Sequence, residues 1–159
     1  MLYTEFQSPI GKLLLAASER GLSGVYFEEH KHFKGMQGWQ RDDDHPVLQQ
    51  TQQQLVAYFA GTRRDFDLPL DMAHGTAFQQ AVWQALRTLV FGSTASYLDI
   101  AKWIGKPGAV RAVGAANGRN PISIIVPCHR VIASSGALTG YAGGLNNKMA
   151  LLALEANLS

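Results

Sequence analysis

The hydrophobic repeat changes period partway along the chain, and this change restricts the available folds more than any other feature. In residues 1–28 apolar stretches alternate with polar positions over residues 2–6, 12–17 and 22–27. Ser8-Pro9-Ile10-Gly11 and Ser18-Glu19-Arg20-Gly21 separate them, and both are strong turn formers. Three short strands joined by hairpins are predicted. Residues 28–45 are polar and irregular, with Gly35, Gly38 and three consecutive aspartates from Asp42, and read as an exposed loop. From Pro46 to Ala60 the positions Val47, Leu48, Leu55, Val56 and Phe59 fall at helical spacing, and Gly61 stops the helix. Residues 62–75 contain Pro69, Asp71 and Gly75 without a period and read as a connection.

Beyond it the pattern is helical. Thr76 is placed to cap a helix carrying Phe78, Val82, Leu86 and Leu89 and ending near Gly92. Ser96 is placed to cap a second helix over residues 97–104, closed by Gly105. Pro107 suits the first turn of a third, running to about Ala116. Two short helices joined by Gly105-Lys106-Pro107 have the form of a helix-turn-helix, although an ordinary helical hairpin has the same form. The expected fold class is therefore α+β: a small sheet-and-helix domain, residues 1–74, beside a helical domain, residues 75–159.

Charge is divided along the same line. Residues 1–74 hold ten acids and seven bases, whereas residues 75–159 hold only Asp99 and Glu155 against seven bases. A basic half with so little acid suits a polyanion, since phosphate contacts release counterions. No stretch approaches the roughly 20 unbroken apolar residues of a membrane span, and no secretory signal is visible at the start. A single cysteine excludes an intramolecular disulfide and argues against a structural zinc site, so a reducing, cytoplasmic setting is expected. His30, His32, His45 and His74 are scattered and read as surface residues.

The informative segment lies around that cysteine. Residues 122–126 (Ile-Ser-Ile-Ile-Val) are too apolar to be exposed and are predicted to cross the interior as an extended run. Pro127 then restricts the backbone as it reaches Cys128, with His129 beside it. The thiolate is the nucleophilic form, and a neighbouring base or positive charge lowers the thiol pKa from about 8.5.

The run Pro127-Cys128-His129-Arg130-Val131, with Asn120-Pro121 and Arg111-Ala112-Val113-Gly114-Ala115-Ala116-Asn117 before it, closely resembles the O6-alkylguanine-DNA alkyltransferases, most of all the bacterial constitutive type. Phe78, Val82-Trp83, Leu86, Gly92, Ser96-Tyr97 and Ile100-Ala101 resemble the family's entry into its DNA-binding unit. Ser135-Gly136, Gly140-Tyr141-Ala142-Gly143-Gly144, Lys148, Leu151-Leu152 and Glu155 resemble its closing segment. The resemblance implies a ribonuclease H-like first domain and a winged-helix-like second. It implies direct repair of DNA by irreversible transfer of an alkyl group from O6-alkylguanine, and O4-alkylthymine, to Cys128.

It also implies roles. Cys128 accepts the alkyl group; His129 takes its proton through a water; Glu155 orients the imidazole; Tyr97 donates toward the leaving guanine. Arg111 replaces the flipped base in the minor groove of double-stranded DNA, with Ser96, Tyr97, Ala112, Asn117 and Asn120 on the DNA-binding side and Asn120 also holding the turn that presents the thiol. Val131, Tyr141, Ala142 and Lys148 surround the substrate. No cofactor or metal is implied, and the chain is expected to act as a monomer. Ala142 replaces a serine of some relatives, and Ala150 replaces a tryptophan, a change expected to loosen the placement of Glu155. The alternatives are a lesion-binding module without chemistry, which would lack Cys128, and a cysteine hydrolase, which would turn over.

Overall fold

The computed structural model describes residues 1–158. Its first unit is a sheet of four strands: β1 (Leu2–Ser8), β2 (Gly11–Ser18), β3 (Gly21–Phe27) and β4 (Gln40–Arg41), in the order β3-β2-β1-β4. Antiparallel pairing sets Leu2 opposite Ala17 and Ser8 opposite Gly11, and β2 continues antiparallel to β3 with a bulge between Ala16 and Ala17. The hairpins thus form where the turn residues predict. The loop expected over residues 28–45 needs one correction, because β4 lies within it, parallel to β1. Helix α1 (Pro46–Phe59) buries Leu48, Thr51, Leu55 and Tyr58, and Gly61 follows it at φ 80°.

The outer edge of β3 is covered rather than open. Leu22 N–H donates to the Pro69 carbonyl at 2.8 Å and Asp71 N–H to the Leu22 carbonyl at 2.7 Å. Val25 N–H donates to the Pro121 carbonyl at 2.9 Å. This covering satisfies groups that an edge strand would leave unpaired. It also docks the segment leading to Cys128 directly onto the sheet.

The second unit begins with α2 (Ala77–Leu86). Thr76 accepts from Gln79 N–H while the Gln79 side chain returns to Thr76 N–H, a reciprocal cap. The helix stops at Leu86, earlier than expected, and residues 87–91 turn so that Leu89 and Phe91 are buried. After β5 (Ala95–Ser96), Ser96 and Asp99 form a second reciprocal cap on α3 (Tyr97–Trp103). Helix α4 is Val110–Gly118. Pro107 therefore lies in the turn between the helices, not in the first turn of α4. Trp83 fills the space between α2 and α4, fully buried, with its indole N–H on the Ala116 carbonyl at 2.9 Å. A Cβ on Gly75 would lie 2.3 Å from the Trp83 ring, so glycine is what allows this approach.

Residues 122–126 are buried as expected, but they are not extended. Ile124 has φ 72°, Ile125 N–H donates to the Ser123 carbonyl, and Val126 N–H donates to the Ile122 carbonyl. The chain coils into tight turns and enters a single 3-10 turn, Cys128–Arg130, so the thiol does not stand at the end of a strand. Strand β6 (Val131–Ile132) then pairs parallel with β5, and α5 (Leu145–Leu158) closes the chain. One hydrophobic cluster runs through both units, from Leu13, Leu15 and Val25 to Trp83, Ile122 and Leu151. Among the described residues no helix is long and apolar enough to cross a membrane.

Candidate active site

The coil of residues 120–128 is pinned from within by the Asn120 side chain. Asn120 Nδ2 donates to the Val126 carbonyl at 2.8 Å and to Cys128 Sγ at 3.0 Å, and its Oδ1 accepts from Ile122 N–H at 3.0 Å. These contacts substitute for the partners a strand would supply, which is how an apolar run can turn while buried. Asn117 Nδ2 lies 3.4 Å from the Cys128 carbonyl. Both asparagines are almost fully buried. The expectation that they face DNA is therefore corrected: they position the thiol from inside.

Cys128 is 4% exposed, and burial pushes its thiol up, partly offset by the Asn120 hydrogen bond, the charge of Lys148 and the nearby Tyr141 hydroxyl. His129 is fully buried, and Nε2 lies 2.7 Å from Glu155 Oε2. Burial drives the imidazole toward its neutral form, against the pull of Glu155. Burial also opposes ionisation of Glu155, but hydrogen bonds from His129, Arg130 and Tyr58 outweigh it and hold this carboxyl far below the usual carboxylate range. With an ionised acceptor at Nε2, that nitrogen must carry the proton. Nδ1 has no partner among the described residues and is the free base.

Glu155 collects donors from three parts of the chain. Arg130 forks onto it through Nε (2.8 Å to Oε1) and Nη2 (3.0 Å to Oε2), while Nη1 reaches the Leu89 carbonyl at 2.7 Å. Tyr58 Oη donates to Oε2 at 2.6 Å from α1 in the first unit. These contacts, with His129, are what hold Glu155 in place. Sequence reading missed both Arg130 and Tyr58. A signal existed for the first: Glu155 is an acid among leucines, and a buried acid needs a buried cation.

Lys148, fully buried, donates through Nζ to the Val131 carbonyl at 2.7 Å, and burial lowers its pKa. Tyr141 and Ala142 lie on the segment after β6. The Tyr141 hydroxyl is buried without a well-aligned partner, near Cys128 and Ser123. Tyr97 Oη pairs with Thr139 Oγ1 of the same segment at 2.6 Å. The segment is tied to the sheet unit, since Lys31 N–H donates to the Ala142 carbonyl at 2.8 Å and Tyr141 packs edge-on against Phe27. A Cβ on Gly143 would lie 2.1 Å from Phe27.

On the outside of α4, Arg111, Ala112 and Ala115 are exposed, and Arg119 follows at the helix end. Arg111 makes no hydrogen bond or ion pair among the described residues. Ser96 spends its hydroxyl on capping α3. His30 is not the surface residue expected: it is half-buried, stacks on Phe27 and accepts from Phe27 N–H at 3.2 Å. Burial, then the charge of His32, lowers its pKa to about 4.

Comparison with known proteins places this geometry. The family model described as "6-O-methylguanine DNA methyltransferase, DNA binding domain" matches residues 77–157, and "6-O-methylguanine DNA methyltransferase, ribonuclease-like domain" matches residues 1–72. The methylated-DNA–protein-cysteine methyltransferase of Mycobacterium tuberculosis is 51% identical over 96% of this chain and 91% of its own length. The protein of the same name from Methanosarcina acetivorans is 49% identical over 98% of each chain. A crystal structure of Mycobacterium tuberculosis OGT in complex with DNA is similar at TM-score 0.93 and 49% identity, covering 100% of this chain and 95% of that one. The two-unit architecture, the buried cysteine site and these matches together establish that the chain belongs to the 6-O-methylguanine DNA methyltransferase family.

Proposed function

We propose that this chain repairs DNA by direct reversal, moving an alkyl group from the O6 atom of guanine onto Cys128 and being consumed in the process. The observation that carries the reading is a buried Cys128 held by Asn120 and followed by His129, whose Nδ1 is free and whose Nε2 meets Glu155, with the exposed Arg111 on α4, the helix that carries Asn117 to the Cys128 carbonyl.

The first step is access, because a base inside a duplex is unreachable and must be flipped at a cost of a few kcal/mol. Helix α4 enters the minor groove; its exposed alanines allow close approach, and Arg111 fills the gap left by the guanine. Tyr97 exchanges Thr139 for the substrate or a phosphate, and Ser96 holds the start of α3 beside it. The flipped base meets Tyr141, Ala142 and the main chain at Cys128 and Val131, the latter carbonyl set by Lys148.

The chemistry then follows from the protonation states. His129 Nδ1 takes the thiol proton through an intervening water, and Glu155 stabilises the imidazolium that forms. The thiolate attacks the alkyl carbon as the carbon–oxygen bond breaks. The bonding pair stays on guanine, which takes up one proton from the site. The product on Cys128 is a thioether, which has no carbonyl for water to attack, so the protein is spent. We place the domain boundary at residues 74 and 75, the working form as a monomer, and the protein in the cytoplasm with DNA as its partner; O4-alkylthymine is a second substrate.

Intact mass after incubation with excess methylguanine DNA tests this. One methyl group per chain, located on Cys128 and absent from Cys128→Ala, is expected. Release of product beyond one equivalent overturns the single-use mechanism, and an unmodified Cys128 with retained lesion binding points to a recognition module instead.

A further inference from the structure

Three half-buried aromatic rings near the end of α4 are not used by the acceptor chemistry. The Tyr26 ring of β3 rests over Gly24, where a Cβ would collide with it. Phe33 and Trp39 come from the loop before β4, with ring centres 4.5 and 6.5 Å from that of Tyr26 and 5.9 Å from each other. Hydrogen bonds fix the loop in this place: Lys31 N–H donates to the Ala142 carbonyl at 2.8 Å and Trp39 N–H to the Met36 carbonyl at 3.0 Å. The rings line a groove of about 470 Å³ that Gly118, Arg119 and Pro121 also line, so it begins where α4 ends. Its charge is positive. Lys31, Lys34 and Arg119 are exposed along it. Burial, then the charges of Arg119 and Lys31, lower the pKa of His32, so these cations converge. The one acid among the described lining residues, Asp71, is engaged by Ser18 at 2.6 Å, and Glu28 and Glu29 line a separate cleft beside Gly143.

We propose that this groove is a second DNA site, one that takes an unpaired nucleotide of the strand running off α4. It rests on the reading of α4 as the helix that meets DNA. Aromatic rings interleaved with cations are the chemistry that holds single-stranded DNA: every base has a π face to lay on a ring, and each phosphate answers a lysine or an arginine. Duplex DNA offers phosphates to the cations but no base to the rings, because the faces of a stacked base are covered by its neighbours. The occupant is thereby fixed as single-stranded. Continuity supplies the route, since Gly118 and Arg119 belong both to the end of α4 and to the groove. A lesion at a frayed end or a gap, where the strand is already unpaired, gains a hold that a lesion in continuous duplex lacks.

The test is fluorescence anisotropy of the whole chain with two labelled, undamaged probes, a short oligo-thymidine and a blunt duplex of the same length. Trp39→Leu keeps apolar bulk and removes the stacking face. It should bind oligo-thymidine on the order of tenfold more weakly and the duplex as the wild type does. Lys34→Gln changes only an exposed side chain, and should reduce the slope of log affinity against log salt on oligo-thymidine by about 0.7. Wild-type affinity for oligo-thymidine in Trp39→Leu overturns the proposal, as does an equal loss on both probes, which would make the ring a support of the fold. A response to Lys34→Gln alone also overturns it, leaving a general anion surface. A wild type that binds oligo-thymidine through these residues but accepts no methyl group from DNA would instead overturn the proposed function and leave this site standing.

Discussion

Replacing Arg130 by methionine should be the most damaging single change outside the thiol itself, and the structure says by how much. The guanidinium makes two charge-assisted bonds to Glu155, at 2.8 and 3.0 Å, and a third to the Leu89 carbonyl at 2.7 Å, with both side chains nearly inaccessible. Removing it leaves an ionised carboxylate buried with only His129, Tyr58 and a long backbone contact, which costs about 3–5 kcal/mol. In a Glu155→Gln background the carboxylate's charge is gone and Arg130 is left as the unpaired buried charge. The same replacement then loses the hydrogen bonds to Leu89 and to the amide, about 1–2 kcal/mol, and also relieves that unpaired charge, so its net cost is at most about 1–2 kcal/mol. The coupling between the two positions is the difference, at least about 2 kcal/mol. Urea unfolding of the wild type, both single variants and the double variant measures it, provided the slope m stays constant across the set. If Arg130→Met costs the same in both backgrounds to within about 0.5 kcal/mol, the two residues act independently and the ion pair does not organise the site.

Arg111→Ala should slow repair of duplex DNA on the order of tenfold or more while scarcely changing reaction with the free alkylguanine base, because only the duplex requires flipping; an equal drop on both substrates would assign Arg111 to the fold. His30 gives an acid-side loss of stability. Its pKa in the folded protein is lowered to about 4 by burial and by the charge of His32, so the unfolded chain binds the extra proton first. The stabilisation is complete above about pH 6.5 and is lost as pH falls toward 4, amounting to about 1–2 kcal/mol once partial solvent screening is allowed for. Urea midpoints of His30→Gln should lose that share of the pH dependence, and an unchanged acid limb would show that His30 does not contribute.

The parts of this fold that could be read from sequence are those whose cause is local. Thr76 with Gln79 and Ser96 with Asp99 each place a cap and its partner three residues apart, so both helix starts were legible. The hairpin turns were legible for the same reason. Residues 122–126 misled because β-branched residues usually mark strands, whereas the backbone partners here come from the Asn120 side chain, whose contacts no period reveals. Asn117 and Asn120 were placed on the DNA-binding side by family resemblance, Asn120 also as the holder of the turn; their side chains are turned inward to the thiol segment. The Glu155–His129 pairing spans 26 residues and was legible only through family resemblance. Tyr58 carried no mark at all, since its partner is brought to it by the packing of one unit on the other.

Phe27 and Gly143 meet so closely that Gly143 is not free to vary alone. Any side chain at 143 would occupy the space of the Phe27 ring, which Tyr141 and His30 also pack against. A smaller residue at 27 would open a hole under three neighbours, and a larger one at 143 would be admitted only after that hole existed. Relatives that carry a side chain at 143 should therefore carry a smaller residue at 27, and the order of events is constrained: the ring must shrink before the glycine can grow. Two positions 116 residues apart are thus coupled through one contact, the one that seats the segment carrying Tyr141 against the sheet.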